Sequence, residues 1–147
     1  MQETGALLAG EMSGHLFFGD RYFGYDDAIY ASCRLVELLS KTDMKLSQLL
    51  DDVPKTVITP EIRVGCPDEI KFQVVEKVKE GMRKDYSIID VDGVRVKFED
   101  GWGLVRASNT QPVLVLRFEA LTEKRLQEIK KLVEDQVQLA VSALQRM

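Results

Sequence analysis

Apolar positions along the chain alternate between two periods, and the places where the period changes mark out its elements. Ala6 to Ala9 and Leu16-Phe17-Phe18 are short apolar runs on either side of a glycine-bounded segment. From Tyr25 to Ser40 the spacing becomes helical: Ala28 with Leu35, and Ile29, Cys33 and Val36, share a face. Asp26 and Asp27 fall in the first turn, where carboxylates suit the helix dipole. Leu46, Leu49 and Leu50 predict one more short turn before Asp51-Asp52-Val53-Pro54, an acidic, proline-ended stretch that reads as a domain boundary.

Beyond it, Val57 to Gly65 has strand composition, with Pro60 arguing for an edge or a bulge. Asp68 is the expected N-cap of a helix running to about Lys84, with Phe72, Val75, Val78 and Met82 as its buried stripe. Ser87 to Asp92 and Val94 to Glu99 flank Asp92-Gly93, a two-residue hairpin signal, and Asp100-Gly101 repeats it before Trp102 to Ala107. Val113 to Ala120 is the last strand. Leu121 and Leu126 bracket Thr122 as a staple around an N-cap. Leu126, Ile129, Val133, Val137, Ala140 and Leu144 then give the final helix a continuous apolar face. The sum is an α+β domain: an antiparallel sheet of about four strands with two helices on one face, preceded by a truncated α/β piece. The first 50 or so residues, with one helix and a few strands, are too few to build a core alone, so their apolar face must dock elsewhere.

Composition changes this picture little. A hydrophobic fraction of 45% and a charged fraction of 30% suit a globular domain, and no apolar run approaches the ~20 residues of a membrane helix. The first dozen residues lack the basic start and apolar stretch of a signal peptide, so a cytoplasmic chain is expected. Cys33 and Cys66 stand apart with no metal-ligand spacing. A net charge of −4, and no basic sheet face evident in the sequence, argue against a nucleic-acid clamp.

Two stretches carry chemistry. In Arg106-Ala107-Ser108-Asn109-Thr110-Gln111-Pro112, five of the first six positions offer a guanidinium, two hydroxyls and two amides, between two predicted strands. Such donors on a loop rim suit a phosphate dianion; turn chemistry joining two strands is the plainer reading. In Gly10-Glu11-Met12-Ser13-Gly14-His15, Glu11, Ser13 and His15 alternate in a loop, as groups that grip sugar hydroxyls do, although a surface histidine beside glycines needs no ligand.

Together these stretches resemble the α-D-phosphohexomutases, in the phosphomannomutase/phosphoglucomutase branch. Arg-x-Ser-Asn-Thr-x-Pro, followed by an apolar strand ending in Phe-Glu-Ala, resembles the phosphate-binding loop of the family's fourth domain; Gly-Glu-x-Ser-Gly-His resembles the sugar-recognition loop of its third. The glucosamine-phosphate branch usually has Gly where Asn109 stands. The resemblance implies a TATA-binding-protein-like last domain over residues 51–147 and the end of domain three over 1–50. It assigns Arg106, Ser108, Asn109 and Thr110 to the substrate phosphate, Glu11 and Ser13 to the sugar hydroxyls, and His15 to the sugar as an assisting group at the transfer site. It further implies Mg²⁺ and a phosphoserine that interconvert hexose 1- and 6-phosphates of mannose or glucose. The Ser-His-Asn nucleophile loop and the Asp-Gly-Asp-Gly-Asp metal loop are not in this sequence. No catalytic nucleophile or metal ligand is therefore assigned here, and the missing domains are the implied partner. The alternative is a stand-alone phosphosugar- or anion-binding module without catalysis.

Overall fold

The computed structural model of the chain describes residue 1 and residues 4–11 and 13–145; Met12, within the glycine-bounded loop, lies outside them. The chain forms two compact units, Met1–Val53 and Pro54–Met147.

In the first unit, β1 (Leu8–Gly10) pairs antiparallel with β2 (Leu16–Phe18), Leu8 facing Phe18 and Gly10 facing Leu16. Helix α1 covers Ala28–Leu39. It starts later than Tyr25 because Asp27 is its N-cap: the carboxylate accepts from the Tyr30 amide at 2.9 Å. A short 3₁₀ turn follows at Leu46–Gln48. Packing here is aromatic. Tyr22 stacks on Tyr30 with ring centroids 3.8 Å apart, and the Arg34 guanidinium lies 4.9 Å over the Phe18 ring while pairing with Asp20. No described residue of this unit is fully buried, and on α1 Ile29 and Val36 remain 80% and 65% exposed. The unit has aromatic contacts but no sealed interior of its own.

The second unit is an antiparallel sheet covered on one face by α2 (Lys71–Met82) and α3 (Glu123–Gln145). The sheet has six strands, where about four are expected. The predicted strand over 57–65 divides into β3 (Val57–Ile58) and β4 (Ile62–Gly65), both pairing with the final strand. Pro60 lies at that break, where it cannot donate to the ladder. The remaining strands, β5 (Ser87–Ile89), β6 (Val94–Phe98), β7 (Gly101–Ala107) and β8 (Val113–Ala120), form a meander. Leu114, Leu116, Phe118 and Ala120 of β8 point to the helices, as do Val94 and Val96 of β6, and all are essentially fully buried. Leu126, Ile129, Val133, Val137 and Ala140 close the core from α3, whose first turn is capped by Thr122 Oγ1 accepting from Arg125 N at 3.2 Å.

Three local expectations change. Asp68 does not cap α2: its carboxylate pairs with the Lys71 ammonium at 2.6 Å, and Ile70 stands at the N-cap position without a side-chain bond. Phe72 is 55% exposed, while Val74 is fully buried in its place. The buried stripe is Val74, Val75, Val78 and Met82, displaced around the helix because the buried Lys71 occupies the sheet side of the first turn. The hairpins also shift. Strand β5 ends at Ile89, leaving Asp90 to Gly93 as a longer turn, and the next turn centres on Glu99-Asp100, since Phe98 pairs with Gly101.

The sheet face away from the helices corrects a fourth expectation, because it is basic. Register places Arg63, Val115 and Arg106 in one cross-strand row, and Arg117, Leu104 and Arg95 in the next. Lys97, Trp102 and Glu119 form a third. The whole-chain charge balance conceals this, because the cations sit singly between core positions, Arg63 on β4, Arg106 on β7 and Arg117 on β8, with Arg95 and Lys97 on β6. Arg63 meets Glu61, Arg106 meets Asp92, and Arg95 stacks 4.1 Å over Trp102.

Candidate functional site

The β7–β8 loop is shaped by its own serine. Ser108 is buried; its amide donates to the Val113 carbonyl at 3.0 Å, closing the loop. Its Oγ accepts from the amides of Thr110 at 3.3 Å and Gln111 at 3.2 Å. One hydroxyl thus gathers two successive N–H groups and curls Ser108 to Gln111 into a tight bend, the serine counterpart of an Asx turn. Asn109 and Thr110 are exposed at its tip.

Behind the bend the chain is fastened by residues far off in sequence. The Lys71 ammonium, in a residue only 4% exposed, donates to the Gln111 carbonyl at 3.1 Å and lies 5.3 Å from the Phe72 ring centre. The Cys66 amide donates to the Pro112 carbonyl at 2.9 Å, and burial pushes the Cys66 thiol up from its ordinary pKa. On the open side, Arg63 Nη1 donates to the Gln111 side-chain carbonyl at 2.7 Å. Arg106 is the penultimate residue of β7 and faces away from the helices, with Nη1 donating to Asp92 Oδ2 at 3.1 Å. Asp92, Gly93, Ala107 and Asn109 help to line an open hollow of about 310 Å³ beside the bend. Arg106, Ser108, Asn109 and Thr110 therefore share one strand end and its turn, with Ser108 inward and the other three accessible.

In the first unit, Glu11 and His15 close the β1–β2 turn, the Glu11 amide donating to the His15 carbonyl at 2.9 Å. The turn is tight enough to need Gly14, whose φ is +91°. Ser13 Oγ donates to Glu11 Oε2 at 3.0 Å, joining two of the three expected sugar-binding side chains. The third, His15, points elsewhere: its Nδ1 lies 2.7 Å from Asp26 Oδ2. The Asp26 carboxylate holds the imidazole above its ordinary pKa and fixes the Nδ1 proton, leaving Nε2 as the nitrogen without that partner. Sequence reasoning placed Asp26 at a helix start and missed this role. The only signal available was the doublet Asp26-Asp27, of which a helix uses one as cap. Among the described residues no three His, Cys, Asp or Glu side chains are grouped to hold a metal ion. The described side chains therefore do not fit Mg²⁺. No helix among the described residues is long and apolar enough to cross a membrane.

The second unit is thus a two-layer α+β domain with a serine-wound, arginine-flanked loop at the sheet rim, and the first unit carries a Glu-x-Ser-Gly-His turn. Residues 61–136 match the model of the phosphoglucomutase/phosphomannomutase C-terminal domain, and residues 1–57 match the alpha/beta/alpha domain III of the same family. The chain belongs to the phosphoglucomutase/phosphomannomutase family. It is 48% identical over 145 residues to a phosphomannomutase/phosphoglucomutase of Pseudomonas aeruginosa, covering 98% of this chain and 31% of that protein. A phosphoglucomutase of Neisseria gonorrhoeae is 49% identical over 133 residues, covering 88% and 29%. A probable phosphoglucosamine mutase of Methanopyrus kandleri is 37% identical over 131 residues, covering 88% and 28%. Among solved structures, a phosphoglucomutase/phosphomannomutase family protein from Burkholderia thailandensis superposes with a TM-score of 0.78 at 40% identity, covering 95% of this chain and 29% of that one. The chain spans about a third of the length of these relatives.

Proposed function

We propose that this chain is the substrate-gripping part of a phosphohexomutase that interconverts hexose 1-phosphate and hexose 6-phosphate. Residues 51–147 correspond to the family's fourth domain and residues 1–50 to the end of its third. The names of its relatives support the reading at the level of a phosphomannomutase or phosphoglucomutase. The observation that carries it is the Ser108 bend, which stands two residues from a guanidinium anchored through a single nitrogen. Arg106 supplies a fixed cation with donors left over, and the exposed tip of Asn109 and Thr110 supplies an amide and a hydroxyl for the remaining phosphate oxygens. Ser108 acts mainly from within, since its oxygen is committed to the backbone amides.

On the other unit, Glu11 and Ser13 are assigned to the sugar hydroxyls, as a linked acceptor and donor. His15, kept protonated by Asp26 to a higher pH than an isolated imidazole, is assigned to the sugar beside the transfer site, where its charge steadies phosphoryl oxygens. The substrate must be held in two orientations during interconversion, so a grip on phosphate and ring hydroxyls, neither specific to one end, fits the reaction. Binding energy at the non-reacting phosphate is then available to the reacting end. The phosphoserine and the magnesium loop are assigned to other sequence of the family, so this chain alone binds without turning substrate over.

Titrating glucose 1-phosphate into the chain tests the assignment. Saturable shifts of the Ser108–Gln111 amides and of the His15 ring are expected, with a dissociation constant on the order of millimolar or weaker because a single loop cannot surround the ligand. Shifts confined to other surfaces, with both loops silent, contradict it.

A further inference from the structure

We infer that Asp92 is the positioning residue for Arg106, holding the guanidinium by one nitrogen so that its other edge is presented to a phosphate. The inference rests on the phosphate reading of the β7–β8 loop and adds to it a residue outside the loop.

Two independent features place Asp92 there. The first is the ion pair itself, Arg106 Nη1 to Asp92 Oδ2 at 3.1 Å, the one hydrogen-bonded contact of that side chain among the described residues. A guanidinium has five N–H donors on a rigid plane. Fixing it at Nη1 leaves the Nε–Nη2 edge, the fork that meets two oxygens of a phosphate. The second feature is the backbone next door. Gly93 has φ +78°, and a Cβ there would lie 2.4 Å from the Val105 carbonyl oxygen and 2.9 Å from Arg106 Cα. The turn carrying Asp92 is therefore pressed against the very residue whose side chain Asp92 holds, and only glycine permits that approach. This contact also explains why β5 and β6 are joined by a longer turn than the Asp92-Gly93 signal implies: the turn is shaped by β7, not by its own two strands.

Stability does not account for the pair. The Arg106 and Asp92 side chains are 42% and 66% exposed, and exposed pairs of this kind contribute little. An unheld arginine at a strand end samples many rotamers, and ordering it on binding costs affinity that a prior anchor saves. The anchor also carries a negative charge near the ligand, so repulsion works against it. The two effects have opposite signs on removal of the side chain, which makes them separable.

The experiment titrates inorganic phosphate into the 147-residue chain and its variants Asp92→Ala, Asp92→Asn and Arg106→Ala, following the Arg106 Nε–H resonance and the Ser108–Gln111 amides. If Asp92 positions Arg106, Asp92→Ala weakens binding by about threefold to tenfold, the range that immobilising one long side chain represents. Asp92→Asn, which keeps an acceptor for Nη1 and drops the repulsion, recovers wild-type affinity or better. The thermal midpoint read by Trp102 fluorescence stays unchanged in both. Equal or tighter binding by Asp92→Ala overturns the inference alone, provided that wild type binds and Arg106→Ala binds about tenfold or more weakly. A wild-type chain whose loop ignores phosphate overturns this inference and the phosphate reading together.

Discussion

Replacing Lys71 by Met tests whether the phosphate loop is built on a buried cation. The ammonium makes two polar contacts, to the Gln111 carbonyl at 3.1 Å and to Asp68 Oδ1 at 2.6 Å, in a residue 4% exposed. A hydrogen bond from a charged donor contributes about 1.5–3 kcal/mol. Two effects reduce the net loss. Asp68 is 63% exposed, so its carboxylate returns to water when the partner goes. The Gln111 carbonyl also keeps a second donor, the Val113 amide at 2.8 Å. Methionine restores the apolar stem and removes the cost of keeping an ammonium from water. The balance is a loss of about 1–2 kcal/mol, drawn from the charged hydrogen bond less these offsets. At roughly 4–8 °C per kcal/mol for a domain of this size, the melting midpoint should fall by about 4–16 °C. Trp102 is the chain's single tryptophan and lies in the second unit, so its fluorescence reports that unit's unfolding directly. Hydrogen exchange should quicken at Thr110 and Gln111, whose amides depend on the bend staying wound. A Lys71→Met chain as stable as wild type, with unchanged exchange at those amides, would refute the idea that the ammonium fastens the loop.

Gly93→Ala should be costly, by about 2 kcal/mol or more, because strain at positive φ adds to a backbone clash with Val105 and Arg106; denaturant unfolding measures it. Asp26→Asn should lower the pKa of His15 towards the ordinary 6.5, read from the ring proton of the chain's single histidine. The linked stability has a definite sign: a raised folded pKa contributes fully below the unfolded 6.5 and is lost as pH rises through the higher folded value, so Asp26→Asn should matter below 6.5 and its effect fade as pH climbs through that raised value. Phe118→Ala should destabilise the second unit by about 3–5 kcal/mol, since Phe118 is fully buried at the centre of β8; a smaller loss in chemical denaturation would mean that the site collapses.

The last helix and the strands flanking the phosphate loop were readable in the sequence because their patterns are long and regular. The stripe from Leu126 to Ala140 has one solution at helical period, and β8 alternates across its second half. Where the reading slipped, a distant residue had overridden a local rule. Lys71 is buried to reach Gln111, 40 residues away, and that displaces the apolar stripe from Phe72 to Val74. Asp26 answers to His15, which no local cap rule could reveal. The rows of arginine on the open sheet face exist only once β4, β6 and β7 are in register with their neighbours, a pairing that strand composition does not encode. The chemistry of Arg106 to Gln111 was legible as a set of donors, but the inward role of Ser108 was not: a hydroxyl in a sequence does not say which way it faces.

The most direct test of the account compares glucose 1-phosphate with unphosphorylated glucose, each titrated into the wild-type chain and into Arg106→Ala. Saturable shifts of the Ser108–Gln111 amides are expected with the phosphorylated sugar alone. Affinity should fall by about tenfold or more in the variant, the equivalent of one lost charge-assisted contact. Equal responses to both sugars, or undiminished affinity without the guanidinium, would contradict it.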